Sequence, residues 1–190
     1  GYEYKKDETV QEGLRRIARE QIDDSIDEIN DPEVDDHETV HEVRKNCKKI
    51  RGLIRLVRPY FENTYKEENV WFRDTANQLS FVRDAQCIIE TFDKLMTRFE
   101  NEVEAKQFKV IRAQLVERRR KIAEEEDKIK FLLGEFKKRM LVGRERVMTW
   151  TLAEDSSEAI AAGLQKTYKR GKKAMALAYE TPTIDNFHEW

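Results

Sequence analysis

The stretch that decides the fold spans residues 36–58 and reads DHETVHEVRKNCKKIRGLIRLVR. Its apolar side chains recur at alternating spacings of three and four residues, which is the period of an amphipathic α-helix. They are Val40, Val43, Cys47, Ile50, Ile54 and Val57. Pro59 follows and disfavours continuation of the helix. The spacing therefore predicts a helix from about Asp36 to Arg58 with one buried face.

A second set of side chains in this helix, all basic, keeps the same spacing one residue further along. It comprises His41, Arg44, Lys48, Arg51, Arg55 and Arg58, and we call it the basic row. One residue is about 100° of helix rotation, so the basic row flanks the buried face instead of lying opposite it. Like charges in register repel one another, and a helix that needed only solubility would mix the signs. The basic row therefore indicates a site for an anionic ligand.

Charge is segregated along the chain, although the net charge is only −2. From Glu20 to Glu42 there are eleven acidic residues and no Lys or Arg, whereas from Val43 to Phe61 there are seven Lys or Arg and no acid. The local field, not the net charge, decides what such a surface attracts. One alternative is that the acidic segment neutralises the basic row within the fold, because charge runs are often solvated faces.

The rest of the chain also has a helical composition, with 39% charged residues, seven Gly and three Pro. We therefore expect an all-α fold, an antiparallel bundle of long helices. Besides the helix over residues 36–58, apolar spacing and capping residues predict further helices and one connector. The helices span about 8–30, 66–99, 102–140 and 155–179, a sixth begins near Asp185, and the connector spans 141–155. Asp155, Ser156 or Ser157 can cap the helix over 155–179.

Two segments of the chain recur in the same order. Residues 13–19, GLRRIAR, recur as residues 163–169, GLQKTYK, and residues 40–43, VHEV, recur as residues 187–190, FHEW. Such recurrence indicates two copies of one helical unit. We therefore expect the first half of a pseudo-two-fold duplicated helical domain, followed by the first helix of the second half.

This duplication divides the chain into two predicted domains. Residues 1–150 hold the first unit, with its four helices and the connector, and residues 151–190 hold the start of the second unit. An incomplete second unit leaves the apolar stripe of its first helix uncovered, which favours association. We therefore expect a homo-oligomer, or a missing second half that covers this stripe.

The two cysteines and the apolar runs bear on the cellular compartment. Cys47 and Cys87 occupy apolar positions of helical patterns without CxxC spacing, which predicts two reduced core thiols. No apolar run in the sequence is long enough to span a bilayer or to form the core of a signal peptide. We therefore expect a soluble, cytoplasmic chain that has no membrane partner.

Four motifs follow one another along the chain. They are VHEVRKNCKKIR at residues 40–51, FVRD at 81–84, YKRGKK at 168–173 and FHEW at 187–190. Together they resemble the CHAD family, the conserved histidine α-helical domain, and the resemblance covers nearly the whole chain. It implies two pseudo-symmetric helical bundles that enclose a basic channel. It also implies binding of inorganic polyphosphate without catalysis, so we expect no enzyme activity, no cofactor and no bound metal.

The resemblance further implies which residues contact polyphosphate. They are His41, Arg44, Lys48, Arg51 and Arg55 on the channel wall, Arg16, Arg19, Lys166, Lys169 and Lys173 on the two repeated first helices, Arg83, and His188 at the start of the matching wall. For Arg83, an ion pair with another helix stays as the alternative to ligand contact.

The residues themselves favour polyphosphate over nucleic acid. Polyphosphate has closely spaced charges but no bases, so it needs Lys and Arg at each helical turn and no surface for base stacking. Aromatic residues here fall mostly at core-like positions and do not interleave with the basic residues. A generic nucleic-acid-binding helical protein stays an alternative function. A purely structural coiled coil is disfavoured, because packing does not require a segregated basic row.

A rival motif starts the same helix, because residues 37–41, HETVH, spell H-E-x-x-H. On a helix this pattern places two His on one face as zinc ligands and a Glu as the general base of a hydrolase. It has only three fixed positions and therefore a high false-positive rate. His37 lies in the first turn after a proline, the following face is cationic, and the repeat retains only the second His, as His188. A zinc hydrolase is kept as the alternative.

We predict that metal analysis of the purified protein finds no stoichiometric zinc, because nothing in the sequence selects a third ligand beside His37 and His41. The measurement is the zinc content per chain after extensive dialysis, with a His37→Ala variant as the control. One zinc per wild-type chain that is lost in this variant would overturn the binding-protein interpretation.

Overall fold

The computed structural model describes residues 2–100, 105–123 and 126–190, and within these ranges the chain is helical without a strand. The all-α fold that the sequence predicts is confirmed. The helices are α1 (Val10–Asn30), α2 (Asp36–Leu56), α3 (Glu62–Asn77), α4 (Ser80–Arg98), α5 (Ala105–Ala123), α6 (Glu126–Met148), α7 (Ser157–Glu180) and α8 (Ile184–Glu189). A 3₁₀ turn at Arg58–Tyr60 joins α2 to α3.

Helices α1, α2 and α7 begin at capping side chains that the sequence supplies. At the start of α1, Thr9 and Glu12 form a capping box, in which each side chain accepts a hydrogen bond from the backbone N–H of the other. Asp35 accepts from the N–H of His37 at the start of α2. Ser156, one of three predicted caps, does the same for α7. Each cap satisfies an N–H that the first helical turn leaves unpaired.

The four-helix core consists of α1, α2, α3 and α6, with α2 in contact with each of the other three. The predicted apolar face of α2 is confirmed, since all six of its side chains are fully buried. Both cysteines are free thiols, Cys47 in this core and Cys87 partly buried on α4. Burial raises the pKa of the Cys47 thiol to about 12, which keeps it protonated at neutral pH.

The prediction of one continuous helix where α3 and α4 lie is wrong. Leu79 is fully buried at the junction, and its N–H bonds to the carbonyl oxygen of Ala76, only three residues back (3.3 Å). The hydroxyl of Ser80 donates to the carbonyl of Asn77 (2.9 Å). The guanidinium of Arg44, from α2, donates to the carbonyl of Ala76. Burial of Leu79 and capping by the side chains of Ser80 and Arg44 therefore end α3. The helical periodicity of the sequence predicts neither of these two effects.

The predicted connector over residues 141–155 is wrong in its first half, because α6 continues to Met148. Met140 and Val147, seven residues apart on one face of α6, are both fully buried and extend the apolar stripe of this helix. The predicted helix over 102–140 corresponds to α5 and the first part of α6, and residues 124–125 between them lie outside the described ranges.

The remaining helices attach to this core in two places. α4 packs against α2, and α5 packs against α4, where the guanidinium of Arg112 pairs with the carboxylate of Asp93 (Nε–Oδ1 2.7 Å). α7 packs against α2 and the 3₁₀ turn, and α8 packs against α7. No helix in the described ranges combines the length and the apolar composition needed to cross a membrane.

The position of α7 depends on a close approach at Gly163. A Cβ atom added there would lie 1.6 Å from the carbonyl oxygen of Leu56 in α2. The matching glycine of the repeat, Gly13, is also covered, because the ring of Tyr4 packs where its side chain would be. Both glycines of the repeat thus allow a neighbouring segment to approach a helix closely.

We expect Gly163→Ala to lower the stability of the protein by about 1–3 kcal/mol, since the added methyl group cannot fit unless α7 moves away from α2. The matched control is Gly171→Ala in the same helix, where nothing lies within 4 Å of the added Cβ. This control should be neutral or stabilising, because Ala forms helix better than Gly. Thermal and denaturant unfolding measure both variants, and equal stabilities would contradict the close approach.

Candidate anion-binding site

The basic row of α2 faces α3, and two hydrogen bonds cross between these helices. The guanidinium of Arg44 donates to the carbonyl of Ala76, and Nε of Arg51 donates to Oδ1 of Asn69 (3.0 Å). From Arg44 to Arg51 the chain advances by seven residues along α2, while their partners go back by seven residues along α3, from Ala76 to Asn69. This is the relation expected for antiparallel neighbouring helices. We call the surface formed by Arg44, Lys48, Arg51, Arg55 and residues 69–76 of α3 the α2–α3 surface.

The cations that α2 contributes to this surface differ in their exposure to solvent, but they are alike in their lack of carboxylate partners among the described residues. Lys48 is exposed, whereas Arg44, Arg51 and Arg55 are partly buried. Among the described residues, none of these four side chains forms an ion pair with a carboxylate. The acidic segment pairs elsewhere, for example through Glu42, which binds Lys45. Direct neutralisation of these four cations by the acidic segment is therefore not seen in this part of the chain.

The charges on the α2–α3 surface act on one another. Partial burial lowers the pKa of Arg51, and the neighbouring cations Arg55 and Arg73 lower it further. Burial and like charge both disfavour a protonated guanidinium, although an arginine stays charged at any physiological pH. An anion placed among these three side chains would relieve the repulsion. The local field therefore favours a negatively charged ligand.

His41 lies at the other end of the basic row, where α2 faces α4. It is exposed, and its Nε2 lies 3.9 Å from Oε1 of Glu42. A cleft of about 350 Å³ lies beside it, and its lining is Asp35, His37, Glu38, His41, Gln86 and Glu90. Nδ1 of His37 is buried without a hydrogen-bond partner among the described residues. In the same ranges, no three His, Cys, Asp or Glu side chains are grouped so that they could hold a metal ion.

Arg16, predicted as a ligand contact, is satisfied within the fold. Its guanidinium bonds to the carboxylates of Glu8 (2.6 Å) and Glu20 (2.9 Å), and it also donates to the carbonyl of Glu3. The hydrogen bond from Arg16 lowers the pKa of Glu8 to about 2, so this pair stays ionised well below neutral pH. A polyanion would have to displace two carboxylates to reach Arg16.

Arg19 lies on the flank of α1 that faces the end of α6. Its Nη1 is 3.7 Å from the sulfur of Met148, and the neighbouring Arg15 donates to the carbonyl of Trp150 (2.7 Å). The contacts described for Arg16 and Arg19 therefore do not include any residue of the basic row.

The predicted contacts on α7 and α8 are exposed, namely Lys166, Lys169, Lys173 and His188. The three lysines share one flank of α7, since their spacings are three and four residues. A separate flank exposes apolar side chains, which are Leu164, Tyr168, Met175 and Tyr179. Self-association through this apolar flank stays a prediction. The side chain of Arg83, also predicted as a contact, lies outside the described part of the structure.

Two residues of the α2–α3 surface were not predicted, Asn69 and Arg73. They are four residues apart on α3 and therefore share one stripe of that helix. The same spacing connects many exposed polar pairs in this chain. Only the crossing hydrogen bond to Arg51 shows that this stripe is the one beside the basic row.

Comparison with known proteins gives one match. The family model described as the CHAD domain matches residues 16–190, a range that includes every predicted site residue. No curated protein and no solved structure matches the chain significantly. CHAD domains are associated with polyphosphate-related proteins. Since the match covers most of the chain, this protein belongs to the CHAD family.

Proposed function

We propose that this chain binds inorganic polyphosphate through the basic row of α2 and catalyses no reaction on it. The observation that carries this proposal is the set of cations Lys48, Arg51 and Arg55, which one helix face presents without a carboxylate partner among the described residues. Each cation that replaces a counterion of a linear polyanion adds to the affinity. The family association supports the same ligand.

Aromatic side chains near this surface support polyphosphate over single-stranded nucleic acid. The guanidinium of Arg58 lies over the ring of Tyr65 (4.7 Å). Those of Arg139 and Arg146 lie over Trp71, at 4.2 and 4.7 Å from the ring centre. Single-strand binders need aromatic faces that are free to stack on bases. Here arginines of the protein itself cover these rings, so a ligand without bases fits better.

We expect the affinity for long-chain polyphosphate to fall by about 20- to 40-fold when the salt concentration rises fourfold. This estimate takes three displaced counterions with a slope of about 0.7–0.9 each. Binding measured by calorimetry at several salt concentrations tests it, with DNA and RNA of matched charge as competitors. Affinity that does not depend on salt would contradict a polyanion site. Equal affinity for duplex DNA would favour the generic nucleic-acid binder.

Two variants should separate binding from stability on α2. Lys48→Ala/Arg55→Ala should weaken polyphosphate binding by about tenfold or more, through the loss of two charged contacts. It should leave the melting temperature within a few degrees, because neither side chain has a described ion-pair or hydrogen-bond partner to lose. Ile54→Ala should lower stability by about 2–5 kcal/mol and leave the folded protein able to bind.

Calorimetric binding and thermal melting of both variants check this separation. A double charge variant that unfolds, yet binds as well per folded molecule, would make these side chains part of the fold and would overturn the site. Arg44 is left out of the variant because its guanidinium caps α3, so its removal should lower stability as well as binding.

A further inference from the structure

We propose that α3 supplies a second wall of the polyphosphate site, on which Arg73 contacts the ligand while Asp74 competes with the ligand for Arg73. This inference rests on the proposed function, because it names further residues of the same site. Its support comes from the alignment of α2 with α3, from the contacts of Arg73, and from the way Asn69 holds Arg51.

The alignment of the two helices places Arg73 beside the basic row. Arg44 reaches Ala76, and Arg51 reaches Asn69. The midpoint between positions 44 and 51 of α2 falls between Cys47 and Lys48, and the midpoint between positions 69 and 76 of α3 falls between Phe72 and Arg73. Asn69, Arg73 and Ala76 follow the four-then-three spacing of a single helix stripe. Arg73 therefore stands across from Lys48, between the two crossing hydrogen bonds.

Arg73 holds its charge where a ligand can reach it. Its side chain is 47% exposed, and its Nε donates to Oδ1 of Asp74 (2.8 Å), whose side chain is 48% exposed. Among the described residues, no partner is seen for its two Nη groups. An exposed ion pair of this kind is weak and easily screened. A polyanion that carries several charges can therefore displace Asp74 from Arg73.

Asp74 also marks the position that the field of this surface favours for an anion. Its hydrogen bond to Arg73 lowers the pKa of its carboxyl, and the more distant cations Arg139 and Arg51 lower it further. Cations on α2, α3 and α6 all favour the ionised form of Asp74, so its carboxylate lies where the fields of these cations overlap. In the free protein this carboxylate thus occupies the place of a ligand phosphate.

Asn69 completes the wall as a positioning residue for Arg51. Its amide oxygen accepts from Nε of Arg51, which fixes the guanidinium and leaves its Nη groups for the ligand. An amide carries no net charge, so this contact orients Arg51 without neutralising it. An aspartate at the same position would form an ion pair with Arg51 and would compete with a polyanion, as Asp74 does.

The test compares Arg73→Ala with Arg112→Ala in the binding of long-chain polyphosphate. Arg112 is a control of similar exposure, because it is 51% exposed and its Nε likewise bonds to Oδ1 of an exposed aspartate, Asp93 (2.7 Å). A second bond joins its Nη2 to Oδ2 of Asp93 (2.9 Å). Arg73→Ala should weaken binding by several-fold and reduce the salt slope by about 0.7–0.9. Arg112→Ala should change neither quantity. Thermal melting verifies that both variants are folded.

A second pair of variants tests the competition. Asp74→Asn should tighten polyphosphate binding, because it removes the carboxylate that occupies Arg73, whereas the control Asp93→Asn should not. Equal affinities for Arg73→Ala and Arg112→Ala, together with weak binding by Lys48→Ala/Arg55→Ala, would overturn the second wall and leave the proposed function standing. A wild-type protein that does not bind polyphosphate would overturn both.

Discussion

Burial of the apolar face of α2 is the constraint on which the rest of the structure depends. This helix contacts α1, α3, α4, α6 and α7, and its six predicted core side chains are fully buried. Each buried aliphatic side chain contributes about 1.5–3 kcal/mol. Once this face is fixed, helix geometry places the basic row about 100° away, at the edge of the packed surface. The hydrophobic core thus holds the cations together in spite of their repulsion.

The partners of the described arginines are either charged or neutral, and this difference decides what each such arginine can do. Carboxylates neutralise Arg16, which therefore ties α1 to the segment before it. The carbonyl of Ala76 and the amide of Asn69 hold Arg44 and Arg51 without cancelling their charge. Neutral partners preserve the field that attracts an anion, whereas charged partners remove it. The sequence alone does not show which arginines have a carboxylate partner and which have a neutral one.

The sequence predicted those features that depend on local periodicity. The period of α2 identified its buried face and the basic row, and Ser156 was among the predicted caps of α7. The break between α3 and α4 was missed, because it depends on burial of Leu79 and on an arginine from another helix. Arg73 was missed for a related reason. A stripe on one helix does not reveal which neighbour it faces, and this is decided by packing alone.

Preorganisation on the α2–α3 surface comes from the core and not from the charged groups. Phe72 of α3 and Cys47 of α2 are fully buried in the same hydrophobic core, where α2 packs directly against α3. The guanidinium of Arg51 is then held by an uncharged contact, so little side-chain freedom is left to lose when an anion binds. The repulsion among Arg51, Arg55 and Arg73 exists in the free protein and would be relieved by a bound polyanion. Both effects would act in the same direction, because a bound anion would lose little to ordering and would gain from charges that the fold has already brought together.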